Sequence, residues 1–119
     1  GINAEYGSLL EFQAPKLQFL QKRVFYNCNS LQQITINEVS NIGDGCFVGC
    51  SSLVCLTNKK CKKFGEIFTK HKSIQLFDFE VLQQLDCYIQ IQYARIPNIK
   101  KISKSTIKYI SFDSNEQLI

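Results

Sequence analysis

The sequence has no tryptophan, no methionine, a single histidine and only two prolines among its 119 residues. With His71 as the lone imidazole, the chain cannot form a site that needs two histidines, and spacing alone assigns no Ser-His-Asp or Cys-His pair. No apolar run approaches the roughly 20 residues of a membrane-spanning helix. The residues left for an interior are Phe, Ile, Leu and Val, whose β-branched and aromatic members favour strands.

Charge is also scarce. Charged residues make up 20% of the chain against 45% hydrophobic ones, which excludes wholesale disorder and predicts one folded domain over residues 1–119. The net charge of +4 is too weak by itself to imply nucleic-acid binding. The chain begins at Gly1 without a signal pattern, so we expect a processed product or a piece of a longer protein.

An internal repeat is the main signal. Apolar residues preceded by Ser or Asn recur roughly every 22 residues, with the longest step at the end, in Leu9, Leu31, Leu53, Ile74 and Ile99. Three further apolar columns keep the same steps: Phe12, Ile34, Leu56, Phe77 and Ile102; Leu17, Val39, Cys61, Leu82 and Ile107; and Leu20, Ile42, Phe64, Leu85 and Ile110. A fourth is aromatic, with Phe25, Phe47, Phe68 and Tyr93. The longer last step predicts an insertion in residues 86–92.

This period lies within the range of about 20 to about 29 residues expected of leucine-rich repeats. One coil cannot enclose its own apolar side chains, so coils must stack and turn each column into an internal ladder. Segments such as Leu31 to Ile36 predict short strands of a parallel sheet. The glycines of Ile42 to Phe47 suit a turn followed by a short helical or 3₁₀ stretch.

The segment Val39-Ser40-Asn41-Ile42-Gly43-Asp44-Gly45-Cys46-Phe47-Val48-Gly49-Cys50-Ser51-Ser52-Leu53 resembles the BspA-type leucine-rich repeat, Val-Thr-x-Ile-Gly-x-x-Ala-Phe-x-x-Cys-x-Ser-Leu. The resemblance is closest here and looser in the other coils. It implies an α/β fold, a right-handed leucine-rich-repeat horseshoe of about four to five coils. It also implies a non-enzymatic binding scaffold, since such proteins include bacterial surface adhesins and many repeat proteins of protists.

The cysteines fit the repeat. Four fall in inward columns, where free cysteine behaves as a small hydrophobe: Cys28, Cys46, Cys50 and Cys61. Cys55 is expected to point outward and Cys87 to lie in the irregular segment. Structural thiols are favoured over disulfides and over a zinc or redox site using Cys55, Cys61 and His71. We therefore predict no metal and no cofactor. Free thiols favour a cytoplasmic location, whereas the resemblance favours the cell surface.

The densest charge is a lysine run around Cys61, made of Lys59, Lys60, Lys62 and Lys63. Such a run could attract an acidic partner, RNA or an anionic membrane surface. Because it lies in a loop between predicted strands and carries no aromatic residues, a solvated turn is the favoured interpretation.

The candidate functional surface is the side of the predicted sheet that points away from the core. Alternation along the strands places ten residues there as candidate contacts for a protein partner: Glu11, Gln13, Gln33, Thr35, Cys55, Thr57, Leu76, Asp78, Lys101 and Ser103, with Gln32 and Val54 at the margin. The sequence thus predicts a protein-interaction module and no enzyme. The alternative is a structural subunit of a larger protein or ribonucleoprotein assembly.

Overall fold

The fold is known from a computed structural model that describes residues 10–64 and 74–113. Regular structure in these ranges consists of eleven strands: β1 (Glu11–Gln13), β2 (Phe19–Leu20), β3 (Gln33–Thr35), β4 (Asn41–Ile42), β5 (Cys55–Asn58), β6 (Lys63–Phe64), β7 (Ile74–Phe79), β8 (Gln84–Asp86), β9 (Gln90–Arg95), β10 (Lys101–Ser103) and β11 (Thr106–Ser111).

The strands build a parallel β-solenoid of about four turns. Odd-numbered strands form one six-stranded sheet in the order β1-β3-β5-β7-β9-β11. The even-numbered strands line the return side, as the pair β2-β4 and the three-stranded sheet β6-β8-β10. The predicted stacking of coils around a parallel sheet is therefore confirmed.

The register confirms the inward columns in the first part of the chain. Phe12 lies opposite Ile34, Ile34 opposite Leu56, and Leu56 opposite Phe77. All but Phe12 are fully buried, so the column forms a continuous apolar ladder through the stacked coils.

The aromatic column is confirmed in part. Phe25 stacks on Phe47 with ring centroids 5.8 Å apart, and Phe47 stacks on Phe64 at 6.4 Å. Phe68, predicted in this column, lies outside the described residues. Phe64 therefore extends the aromatic stack with its side chain, while its backbone pairs with Leu85 in the return sheet.

The coils after β7 contract, contrary to the predicted insertion at residues 86–92. Phe77 lies opposite Ala94, and Leu85 lies opposite Ile102. In both pairs the two residues are closer in sequence than the earlier pair of Leu56 and Phe77. Ala94 in turn lies opposite Ile110. Ile102 therefore belongs to the return sheet and Ile110 to the six-stranded sheet, the reverse of their predicted columns. The cause is that these coils pass from β8 to β9 and from β10 to β11 without the glycine-containing turn.

The same shift reassigns three other residues. Ile99 donates its N–H to Ile96 just as Leu82 donates to Phe79, so Ile99 follows Leu82 in its column. Ile107 lies opposite Ile91, and Tyr93 points outward from β9 rather than joining Phe25 and Phe47 inside.

Turns replace the predicted helical stretches, so the described ranges are all-β and not α/β. Gly45 and Gly49 have φ of 71° and 81°, and the equivalent Arg23 and Asn27 one coil earlier both have φ of 59°. Left-handed residues at these positions interrupt right-handed helical geometry before a helix can propagate. At Gly43 a Cβ would lie 2.7 Å from the Lys22 nitrogen, so only glycine lets the two coils approach this closely.

One polar residue occupies a core position. Asn58 is buried opposite Phe79, where the other coils have apolar side chains. Its Nδ2 donates to the carbonyls of Ile36 and Val39 at 2.8 and 2.7 Å. Its Oδ1 accepts from the N–H groups of Lys60 and Cys61 at 2.9 and 2.7 Å. The side chain thereby ties two successive coils together.

We predict that Asn58→Ala lowers the free energy of unfolding by about 3 kcal/mol, because it leaves buried carbonyl and N–H groups unpaired. The measurement is urea denaturation followed by circular dichroism. Asn37→Ala is the matched control, since the Oδ1 of Asn37 has no hydrogen-bond partner, and it should cost less than about 1 kcal/mol. Equal losses in the two variants would contradict the bridging role of Asn58.

Candidate functional site

The outward side of the six-stranded sheet, here called the outer face, carries side chains aligned in columns by the strand register. One column runs from β1 to β11 through Glu11, Gln33, Cys55, Leu76, Tyr93 and Tyr109. The next runs through Gln13, Thr35, Thr57, Asp78, Arg95 and Ser111. Eight of the ten predicted contact residues lie in these two columns, which the parallel register brings into one continuous surface.

The other two predicted contacts are placed wrongly by the sequence. Lys101 and Ser103 lie in β10, opposite Gln84 and Asp86 on the return side, because the coil contracts. The Ser103 hydroxyl donates to the Asp86 carboxylate at 2.6 Å, and the Lys104 ammonium lies 3.6 Å from the same carboxylate. The hydroxyl first, and then the lysine charge, lower the pKa of Asp86.

The contribution of β9 and β11 to the outer face was not predicted from the sequence. Ile91 to Ile96 repeats the spacing of Leu31 to Ile36, with inward residues at the first, fourth and sixth positions. Searching for that local pattern, without imposing the period of the earlier coils, would have found Tyr93 and Arg95. The pattern was obscured because its fourth position holds the small residue Ala94.

Two tyrosines form the most exposed aromatic feature of the outer face. The rings of Tyr93 and Tyr109 stack with centroids 5.1 Å apart and an interplanar angle of 15°. They are 46% and 52% exposed, and the Lys108 ammonium lies 5.5 Å from the Tyr109 ring centroid. The half-buried Leu76 of β7 lies opposite Tyr93, on the side of β9 away from Tyr109. The β7-β9-β11 half of the outer face therefore offers an aromatic and apolar strip.

An arginine clamp lies beside this strip. The Arg95 side chain is only 8% exposed; its Nη1 donates to Asp78 Oδ1 at 2.7 Å and forms a second ion pair with Glu80. Its Nε donates to the Asp113 carbonyl at 3.2 Å. Hydrogen bonding to Glu80, followed by that to Asp78, raises the pKa of Arg95, so the guanidinium stays charged. These contacts link Arg95 of β9 to Asp78 and Glu80 on one side and to the chain after β11 on the other.

Cys55 is the cysteine on the outer face, between Gln33 and Leu76. All six cysteines are free thiols, and the other five are buried, as their repeat positions predict for Cys28, Cys46, Cys50 and Cys61. Burial, with a smaller contribution from the Asp78 charge, raises the pKa of the half-buried Cys55. Burial raises the pKa of Cys50 to about 12. Cys55 is therefore the most accessible thiol.

The described residues contain no group of three or more His, Cys, Asp or Glu side chains placed to hold a metal ion. His71, considered with Cys55 and Cys61 as a possible ligand, lies outside the described residues. The same ranges contain no helix long and apolar enough to span a membrane.

Comparison with protein-family models, with curated proteins and with solved structures gave no match to the chain. Support for a function therefore has to come from the geometry of the surface itself.

We predict that dithionitrobenzoate labels one thiol of the folded protein, Cys55, and all six only after denaturation. Because the pKa of Cys55 lies above its ordinary value of 9.0, little thiolate exists at neutral pH. The rate should therefore rise about tenfold per pH unit through the neutral range. Cys55→Ser should abolish the native reaction, and fast labelling of a second thiol would contradict the assigned burial.

We also predict that Arg95→Ala lowers the free energy of unfolding by about 2 kcal/mol, because two carboxylates and a carbonyl lose their donor. The expected loss in unfolding free energy is smaller than for a fully buried ion pair, because the Asp78 and Glu80 side chains are 30% and 32% exposed and water screens their charges. Lys108→Ala, an exposed change in the neighbouring strand, is the control and should cost less than about 0.5 kcal/mol in the same urea titration. Indistinguishable midpoints would show that the clamp adds no stability.

Proposed function

We propose that the protein is a non-enzymatic recognition module and that its outer face binds a protein partner. The observation that carries the proposal is the stacked, half-exposed pair Tyr93 and Tyr109 beside Leu76 and the arginine clamp. Tyrosine is enriched at protein interfaces, where it contributes a large contact area while losing little conformational entropy.

Rigidity supports the same proposal. The outer face rests on six hydrogen-bonded strands over a fully buried core, so little backbone order remains to be gained on binding. Its composition also changes along the sheet, from Glu11 and Gln33 at one side to the tyrosines at the other. The aromatic residues are thus concentrated in β9 and β11, where the outer face offers the aromatic contact area that protein interfaces favour.

We further infer that the coils are right-handed leucine-rich repeats of the BspA type. Three observations in residues 39–53 support this class: the close coil approach at Gly43, the buried ring of Phe47, and the buried thiol of Cys50. The Cys50 thiol donates to the Phe25 carbonyl at 3.1 Å, which gives the Cys of the repeat pattern a role between coils. Right-handed connection is the general rule for parallel strands joined by crossovers.

The test is affinity capture from an extract of the source organism, with the protein as bait and quantitative mass spectrometry as readout. Tyr93→Ser/Tyr109→Ser should reduce recovery of the specific partner at least about tenfold, as expected when an aromatic anchor is removed. The matched control is Tyr26→Ser/Tyr88→Ser, which removes two exposed tyrosines that lie outside the six-stranded sheet. Bound partner should also slow the labelling of Cys55.

Equal recovery by the two double variants would reject the outer face as the binding surface. Thermal unfolding of both variants provides the necessary check, because a loss of partner accompanied by a loss of fold would not report on binding.

A further inference from the structure

The return side of the solenoid collects lysines that are far apart in the sequence. Lys63 of β6 and Lys101 of β10 both lie opposite Gln84 of β8, one on each side. Lys62 and Lys100, the residues just before them, lie on either side of Gln83 in the same way. The Gln83 N–H donates to the Lys62 carbonyl, and the Lys100 N–H donates to the Gln83 carbonyl. Since β6 and β10 are two strand spacings apart, Lys63 and Lys101, like Lys62 and Lys100, are separated by about 10 Å.

This arrangement depends on the contracted coil. If the later coils kept the length of the earlier ones, as the sequence suggested, Lys101 would lie on the outer face. The shorter step from Leu85 to Ile102 instead aligns Lys100 and Lys101 with the lysine run. We call the resulting surface the basic face; it comprises Lys60, Lys62, Lys63, Lys100, Lys101 and Lys104.

The charge of the basic face is largely uncompensated. All six lysines are exposed, and Lys104 has Asp86 as its ion partner. Within residues 10–64 and 74–113, no carboxylate forms an ion pair with the other five. Among the described residues, Asp44 lines a groove with Lys60, Lys62 and Lys63, and the Asp86 carboxylate interacts with Lys104 and also with the charge of Lys101. An anion bound midway between the two lysine rows is about 5 Å from each row, within the Debye length of about 8 Å at physiological salt, so both rows attract it.

A shallow groove extends the basic face toward β4. It has a volume of about 460 Å³ and is lined by Ser40, Asn41, Ile42, Asp44, Lys60, Lys62 and Lys63. Three of its seven lining residues are lysines of the basic face, so the groove continues the positively charged surface.

We propose that the basic face binds an acidic polypeptide segment, a run of Glu and Asp in extended conformation. Side chains on one side of such a segment repeat about every 7 Å, a spacing that flexible lysines about 10 Å apart can reach. Gln83 and Gln84 lie between the lysine rows and can donate side-chain N–H groups to carboxylates. The surface is separate from the outer face, so the two can be tested independently.

The aromatic residues of this side favour a polypeptide over RNA. Binding of single-stranded RNA usually stacks bases on open aromatic rings between basic residues. Here glutamines separate the lysines, and the nearby Tyr88 ring has the Lys104 ammonium 5.5 Å from its centroid. Along β6, β8 and β10 no exposed ring alternates with the lysines, because Phe64, the aromatic residue of these strands, is buried.

The experiment measures fluorescence anisotropy of a labelled octaglutamate peptide titrated with the whole chain at about 50 mM NaCl, where the Debye length exceeds about 10 Å. Lys63→Gln/Lys101→Gln should weaken binding about fivefold or more, from the loss of two ion contacts. The control Lys22→Gln/Lys108→Gln makes the same change in net charge at exposed lysines outside the basic face, and it should stay within about twofold of the unchanged protein.

Equal weakening by the two double variants would overturn the proposal, because it would mean non-specific attraction to net charge. Tighter binding of a labelled octauridylate would assign the face to RNA instead, and tighter binding of phosphatidylserine vesicles would assign it to a lipid surface. A peptide that does not bind even at low salt would also refute the proposal.

Discussion

Stacking of one coil on the next is the constraint on which the whole structure depends. Within the described residues, no coil encloses its own core; Ile34 is buried because Phe12 and Leu56 lie beside it in neighbouring strands. The same stacking satisfies backbone groups through the parallel ladders, and Asn58 adds side-chain bonds between coils. Any residue change that separates two coils therefore exposes a whole column, not one side chain.

Contraction of the later coils gives the molecule its two distinct surfaces. Omitting the glycine-containing turn places the long strand β9 against β7 and β11 against β9, so that Tyr93, Tyr109 and Arg95 extend the outer face. The same omission places Lys100 and Lys101 in line with Lys62 and Lys63 on the return side. Both surfaces thus follow from a change in coil length and require no additional element.

The sequence predicts the fold well where repeat markers are strong and poorly where they fade. Up to Phe77, glycine turns and aromatic residues show where each coil begins, and the predicted ladder agrees with the strand register. Beyond it, Ile and Leu are so common that a wrong phase still finds apolar residues, as at Ile102 and Ile110. The true partner of Phe77 is the small Ala94, which a search for large side chains passes over. The misplacement of Lys101 and Ser103 follows from that single error.

Register also links the core to the outer face. In β9 the buried Ala94 lies between Tyr93 and Arg95, so a slip of one residue would turn a charged or aromatic side chain into the apolar core and Ala94 out of it. Ala94 fits beneath Phe77 because it is small, and Arg95 is held by Asp78 in the strand that Phe77 belongs to. Packing and ion pairing therefore select the same alignment. Since that alignment also places the two tyrosines in contact, the binding surface is a consequence of how the core is packed.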